Sequence, residues 1–178
     1  MKQLFSIDLK DYSPDSAVSK RPSARGIIFR DGLIALVYSK KEKYYKFPGG
    51  GIRDGEDKKE ALIREVLEET GLTVIPESIR EFGSVIRRQN SNLSAGTVFE
   101  QENFYYFCDV RPGLSPQKLD EYEDEAGFIL KFVKTEEAIE ANRKYHSNDL
   151  FDEIMIKREM KVLELIRACA GGCNTEEA

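Results

Sequence analysis

Polar residues dominate positions 1–21, where Ser13, Pro14 and Ser16 break any regular alternation. That segment reads as an arm with at most one short strand. From residue 22 the pattern sharpens. The runs ARGIIFR and LIALVYS flank Asp31-Gly32, which predicts a hairpin, because Asp-Gly supplies the positive φ angles of a tight I′ turn. KKEKYYK follows as a solvated loop with two tyrosines. Next comes a helix in which Leu62, Ile63, Val66 and Leu67 share one broad apolar face at about 100° per residue. Asp54 and Gly55 are its candidate start, Glu56 and Asp57 suit the first turn, and Gly71 fits the left-handed C-terminal position. EFGSVIRRQ and VFEQENFYYFCDV are β-rich around the loop NSNLSAG. RPGLSPQKLDEYEDEA reads as a long polar loop, GFILKFV as a strand, and TEEAIEANRKY as a short helix with Thr135 as its cap. A last helix is predicted from Asn148 to about Ala170, with Phe151, Ile154, Met155, Val162, Leu163 and Ile166 at apolar positions, packed on its own domain. The tail, 171–178, reads as disordered. Hairpin-linked strands with two or three helices predict an α/β fold with a mixed sheet.

The 178 residues suit one domain with a helical extension. The net charge of −5 argues against a duplex nucleic-acid partner, which needs a basic surface, but leaves room for a nucleotide in a local basic pocket. No apolar run is long enough to span a bilayer, and the N-terminus lacks the apolar core of a secretory signal. The cysteines Cys108, Cys169 and Cys173 are odd in number and irregular in spacing, which predicts free thiols in a reducing cytoplasm. Cys169 and Cys173 sit one turn apart, but the single histidine, His146, is remote in sequence.

The helix carries an electrostatic anomaly. Glu65, Glu68 and Glu69 lie at i, i+3 and i+4. Like charges at those spacings destabilise a helix by a few tenths of a kcal/mol per pair, and the last two also face the negative end of the dipole. Alone, the cluster reads as a solvated acidic face. A hard divalent cation would reverse the cost, since Mg²⁺ takes carboxylate oxygens and shares them with substrate phosphates.

The surrounding residues resemble the Nudix family. Gly50, Glu56, Arg64-Glu65, Val66, Glu68-Glu69, Gly71 and Leu72 occupy the positions of the Nudix box, and the hairpin and FPGG before it agree, so the resemblance covers about 22–142. It implies a Nudix-type α/β/α sandwich with a mixed sheet. Around that domain the chain divides into an arm (1–21), a C-terminal helical extension (143–170) and the tail. The resemblance also implies hydrolysis of a diphosphate bond in a nucleoside diphosphate derivative or nucleoside triphosphate, with Mg²⁺ or Mn²⁺. Carried over by position, Glu65, Glu68, Glu69 and the Gly49 carbonyl hold metal, Glu65 also activates water, and Gly50, Glu56 and Arg64 support the loop and helix. Glu60, one turn before Arg64, is placed to pair with it. The alternative reading is a non-catalytic Nudix-like domain that binds a nucleotide or a protein.

Outside the box, the acidic segment Glu121, Glu123, Asp124, Glu125 offers a carboxylate to assist catalysis, and Glu125 is selected for its place beside a strand. Arg25 and Arg87 are candidate phosphate ligands. Arg87 and Arg88 are adjacent on a strand, so at most one points into a site. Tyr45, or its neighbour Tyr44, is a candidate for stacking on a base. Cys108 carries no mark of a nucleophile. The partners expected are a small-molecule nucleotide or other diphosphate, with no duplex and no membrane, on a monomer or homodimer.

Overall fold

The computed structural model describes residues 1–171; the expectations for Cys173 and for the tail beyond Gly171 lie outside them. In chain order these residues form β1 (Gln3–Asp8), β2 (Ala17–Lys20), β3 (Ser23–Ile27), β4 (Phe29–Arg30), β5 (Leu33–Ser39), β6 (Tyr45–Lys46), β7 (Gly49–Gly51), α1 (Lys58–Thr70), β8 (Arg80–Asn90), β9 (Thr97–Phe107), α2 (Glu121–Glu125), β10 (Phe128–Val133), α3 (Thr135–Arg143) and α4 (Leu150–Gly171). They group into two compact units. The first joins Met1–Ile28 to Phe47–Asp120, and the second joins Phe29–Lys46 to the chain from Glu121 onward.

The first unit is a mixed sheet in the order β1-β8-β9-β3-β7, with β2 also on β9. β8 and β9 form the long antiparallel hairpin expected around NSNLSAG. β2 and β3 run parallel to β9 in one register, Lys20 opposite Glu100 and Ser23 opposite Asn103. The break between them falls at Arg21-Pro22, because proline has no N–H to give the ladder. The arm is therefore more ordered than its composition indicated. It holds two strands, β1 parallel to β8 and β2 parallel to β9, and both are paired with partners more than 75 residues away in sequence. Local patterning carries no signal for such pairing.

α1 packs on β3 and β7. Its start differs from the sequence expectation. Asp57, not Asp54 or Gly55, is the N-cap, and its side chain accepts from Lys59 N at 2.8 Å and Glu60 N at 3.4 Å. The helix begins later because Glu56 is engaged elsewhere. Gly71 ends it as expected, at φ 73, donating to Leu67 O at 2.8 Å.

The second unit is an antiparallel sheet, β10-β5-β4 with β6 on β5. The predicted turn is present, with Asp31 at φ 52 and Gly32 at φ 75. ARGIIFR is not one strand, however. The chain leaves the first sheet after Ile27 and enters the second at Phe29. KKEKYYK is not uniformly solvated either, since Tyr44 and Tyr45 are buried. α2 interrupts the segment expected to be a long loop. Lys134, not Thr135, occupies the N-cap of α3 and supplies no side-chain hydrogen bond.

α4 packs on α3 and β6, burying Ile154, Ile156, Val162, Leu163 and Ile166. Phe151 and Met155 are only half-buried. Between the two apolar clusters lie Arg158 and Glu159, an ion pair that is 1% and 0% exposed. The apolar stripe is thus interrupted by a buried charge pair that periodicity alone does not reveal. Among the described residues no helix is long and apolar enough to cross a membrane.

Candidate active site

The site is built where the glycine strand β7 meets α1, within the first unit. A strand of three glycines offers backbone N–H groups and no side chains, so the facing helix must supply both packing and acceptors. Glu69 does this: it is 2% exposed, and its Oε2 accepts from Gly49 N at 2.9 Å. Glu65 lies against Gly50, where an added Cβ would come within 2.6 Å of its carboxyl carbon. No other residue type fits at Gly50 without displacing Glu65. The buried face of α1 is therefore rotated from the one expected. Leu62 and Val66 are buried beside Glu69, while Leu67 is 37% exposed. Glu65 and Glu69 belong to the packed face, not to a solvated one, while Glu68 lies at its edge, 35% exposed.

Arg64 ties this arrangement together. Its Nε donates to Glu56 Oε1 at 2.7 Å, and its Nη2 donates to Glu56 Oε2 at 2.7 Å and to Gly51 O at 3.1 Å. Nη1 donates to Glu65 and, at 3.3 Å, to Glu68 Oε2. The Arg64 partner is thus Glu56 in a two-pronged pair, not Glu60 one turn away, because the loop folds Glu56 back over the helix. Glu56 also accepts from Arg53 N at 2.8 Å, which closes the loop.

These contacts set opposite proton affinities on two nearby carboxylates. The Arg64 hydrogen bonds hold Glu56 down at about 2. Burial pushes Glu65 up, the Arg64 hydrogen bond opposes this, and the charge of Glu69 adds to it. For Glu56 the linkage is that of a depressed acid. Its stabilising contribution is present above the ordinary carboxylate range and is lost as pH falls toward about 2. Denaturant unfolding from pH 6 to pH 2 should show the Glu56→Gln variant losing less stability on acidification than the parent. Parallel acid profiles would show that the pair contributes nothing.

Arg25, on β3, turns into the seam with β7. Its guanidinium donates to Gly49 O and, at 3.4 Å, to Phe47 O, while its buried Nε has no hydrogen-bond partner. Arg87 is 1% exposed, donates to Gln89 Oε1 at 2.7 Å and lies 5.6 Å from the Phe99 ring centre. Arg88 points the other way and pairs with Glu100, so the expected alternation holds. Tyr45 and Glu125 belong to the second unit. Tyr45 donates to Glu137 at 3.2 Å, lies 4.7 Å from the Tyr38 ring, and burial pushes its hydroxyl up to about 12. Glu125 lines a pocket of that unit with Tyr44, Tyr122 and Asp152, and it is Glu123 that lies 3.9 Å from a cation, Lys46. The thiol of Cys108 is buried, and burial pushes it up to about 12, which keeps it protonated.

The sequence reading missed the residues that close the C-terminal end of α1. Gln117 donates to Glu69 O, and Lys118 N donates to Glu68 O at 2.7 Å. Their segment is polar and irregular, so it carries no periodic signal.

The donor set fits a hard divalent ion. Three carboxylates, graded from buried Glu69 to partly exposed Glu68, stand on one rigid helix against the glycine strand, where Gly49 N donates to Glu69 and the Gly49 carbonyl accepts from Arg25. Among the described residues no three acidic, histidine or cysteine side chains form a ready-made cage. Mg²⁺ sites commonly use one or two carboxylates with water and substrate phosphate, so a partial, oxygen-only set is the chemistry such an ion takes.

A helix that presses carboxylates onto a glycine strand beneath an arginine-braced loop defines a Nudix-type site. The chain belongs to the Nudix family: residues 19–153 match the model described as NUDIX domain. It is 30% identical over 131 residues to the putative 8-oxo-dGTP diphosphatase YtkD of Bacillus subtilis, covering 74% of this chain and 75% of that protein. It is 29% identical over 133 residues to Nudix hydrolase 10 of Arabidopsis thaliana, covering 70% of this chain. The chain spans 43% of that plant relative's length. The solution structure of the E. coli ORF135 protein shares the fold at a TM-score of 0.56 and 19% identity, covering 89% of this chain and 96% of that one. Nudix hydrolases generally need divalent cations.

Proposed function

We propose that this chain is a pyrophosphohydrolase that cleaves a diphosphate bond in a nucleoside diphosphate derivative or a nucleoside triphosphate. The observation that supports this best is the Glu65 carboxylate, raised in proton affinity and held by Arg64 against Gly50, with Glu68 and Glu69 on the same helix. A group that is both basic and fixed is what activation of water requires. Glu65, Glu68, Glu69 and the Gly49 carbonyl would hold Mg²⁺ or Mn²⁺. When bound, such an ion neutralises phosphate oxygens and lowers the pKa of water.

The work of the protein is positioning. Glu65 accepts the proton of the attacking water, whose oxygen bonds to phosphorus as the anhydride P–O bond breaks and the leaving phosphate departs with the electron pair. Arg64 keeps Glu65 oriented and fixes the loop through Glu56 and Gly51. Arg25 orients the Gly49 carbonyl from below. Arg87, 1% exposed and donating to Gln89, and Tyr45, buried in the second unit and donating to Glu137, are each held by the protein itself. The relative named as a diphosphatase of 8-oxo-dGTP favours a nucleotide substrate.

The test is a panel of nucleoside triphosphates and nucleoside diphosphate derivatives with Mg²⁺ or Mn²⁺, following released phosphate, pyrophosphate and nucleotide. Turnover should stop in excess chelator. Glu68→Gln with Glu69→Gln should lower both metal affinity and rate while circular dichroism stays unchanged. Full turnover in chelator, or binding of nucleotides without turnover of any, overturns the proposal.

A further inference from the structure

The last turn of α1 is the weak point of the carboxylate cluster. An α-helix leaves its final carbonyls without partners inside the helix, and its C-terminal end carries about half a negative charge. Glu68 and Glu69 stand in that turn, and no basic residue stands there with them. Helix ends of this kind fray. A turn that tightens to 3₁₀ geometry advances about 120° per residue instead of about 100°, which swings Glu68 and Glu69 away from Glu65.

A strap within the first unit opposes this. Val110 bridges Val74, Arg111 N donates to Thr73 O at 2.8 Å, and Ser115 N donates to Gly71 O at 2.9 Å. Further along the strap, the side-chain amide of Gln117 donates to Glu69 O, and Lys118 N donates to Glu68 O at 2.7 Å. All but the Gln117 contact use backbone groups, which any sequence in that conformation offers. Gln117 is half-buried in a segment that is otherwise mostly exposed.

Glu69 is thereby held at both ends. Its carbonyl accepts from Gln117, and its carboxylate accepts from Gly49 N at 2.9 Å. A donor at the carbonyl also offsets the negative end of the dipole, where the carboxylates crowd. The side chain that reaches Gly49 keeps its place only while the backbone behind it keeps its own.

We propose that Gln117 is a positioning residue, which acts through Glu69 to hold the last turn of α1 in α-helical form and so presents Glu65, Glu68 and Glu69 as one donor set for a divalent ion. The inference rests on the reading of these glutamates as the metal ligands of a hydrolase.

The test measures amide hydrogen exchange by NMR in metal-free buffer and Mn²⁺ binding by calorimetry without substrate. Gln117→Met keeps the length of the side chain and loses the donor. In that variant the Gly49 amide should exchange about fivefold faster and Mn²⁺ should bind about fivefold more weakly, the scale of one hydrogen bond. The amide of Val85, buried in the same sheet, should keep its rate. Gln117→Asn carries the amide on a shorter reach and should behave as the methionine variant, which gives a second protein should that one fail to fold. Unchanged exchange at Gly49, equal acceleration at Gly49 and Val85, or Mn²⁺ affinity equal to the parent's overturns the positioning role, as does a parent that binds no Mn²⁺ at millimolar concentration. Chelator-sensitive turnover, with Gly49 exchange indifferent to position 117, would leave the hydrolase standing and remove the role of Gln117. Exchange and Mn²⁺ binding that depend on Gln117, in a protein that cleaves no nucleotide, would do the reverse.

Discussion

Glu65→Gln is expected to lower kcat by about 10²–10⁴ while leaving the melting temperature unchanged or slightly higher. Glutamine keeps the shape of the side chain but cannot take a proton from water. Burial is the largest influence on Glu65 and raises its proton affinity, so at neutral pH the ionised form opposes folding. A neutral amide removes that cost. Arg64 retains both bonds to Glu56, so the loop stays braced. Function and stability are therefore predicted to move in different directions, as at other sites where a strained group is kept for chemistry. Thermal melts with steady-state kinetics on the same preparation check this. A variant that loses activity only in proportion to a lowered melting temperature would show that Glu65 serves the fold.

The second large effect is expected on stability. Gly71→Ala should cost about 3 kcal/mol, combining about 1–2 for a left-handed alanine with an overpacking cost of 1–3. Gly71 sits at φ 73, and a Cβ there would come within 2.9 Å of the Ser115 carbonyl carbon, which is backbone and cannot rotate away. Ser115 N also donates to Gly71 O at 2.9 Å, so the two segments are held together on both sides. For a chain of this size the melting temperature should fall by about 6–12 °C. Gly55→Ala is the control. It has a similar φ, 78, but open space where the Cβ would go, so it should cost about 1 kcal/mol. Equal losses in the two variants would mean that Ser115 yields and that only backbone conformation matters at Gly71.

Several elements were legible without coordinates because their causes are local. The Asp31-Gly32 turn follows from two residues that tolerate positive φ. The end of α1 at Gly71 follows from the same preference. The opposed directions of Arg87 and Arg88 follow from strand geometry alone. The linear order of box residues placed Glu65, Glu68 and Glu69 on one helix, since helical spacing converts sequence separation into spatial separation without reference to the rest of the chain.

What the tertiary structure decided concerns partners that are far apart in sequence. β1 and β2 become strands only because β8 and β9 offer edges to them, more than 75 residues away. Arg25 faces the Gly49 carbonyl because β3 happens to neighbour β7. Arg158 and Glu159 are buried as a pair where the helix pattern showed only an apolar stripe. The rotation of α1 has the same origin. Hydropathy places leucine inward and glutamate outward, but a facing strand of glycines leaves room for side chains and exposes N–H groups that need acceptors, so Glu69 is buried and Leu67 is partly exposed. The sequence by itself determined which residues share a turn or a helix face, because those relations depend on covalent geometry. The tertiary structure decided which of those faces is buried and what each charge meets there, because desolvation and hydrogen bonding depend on the opposing surface.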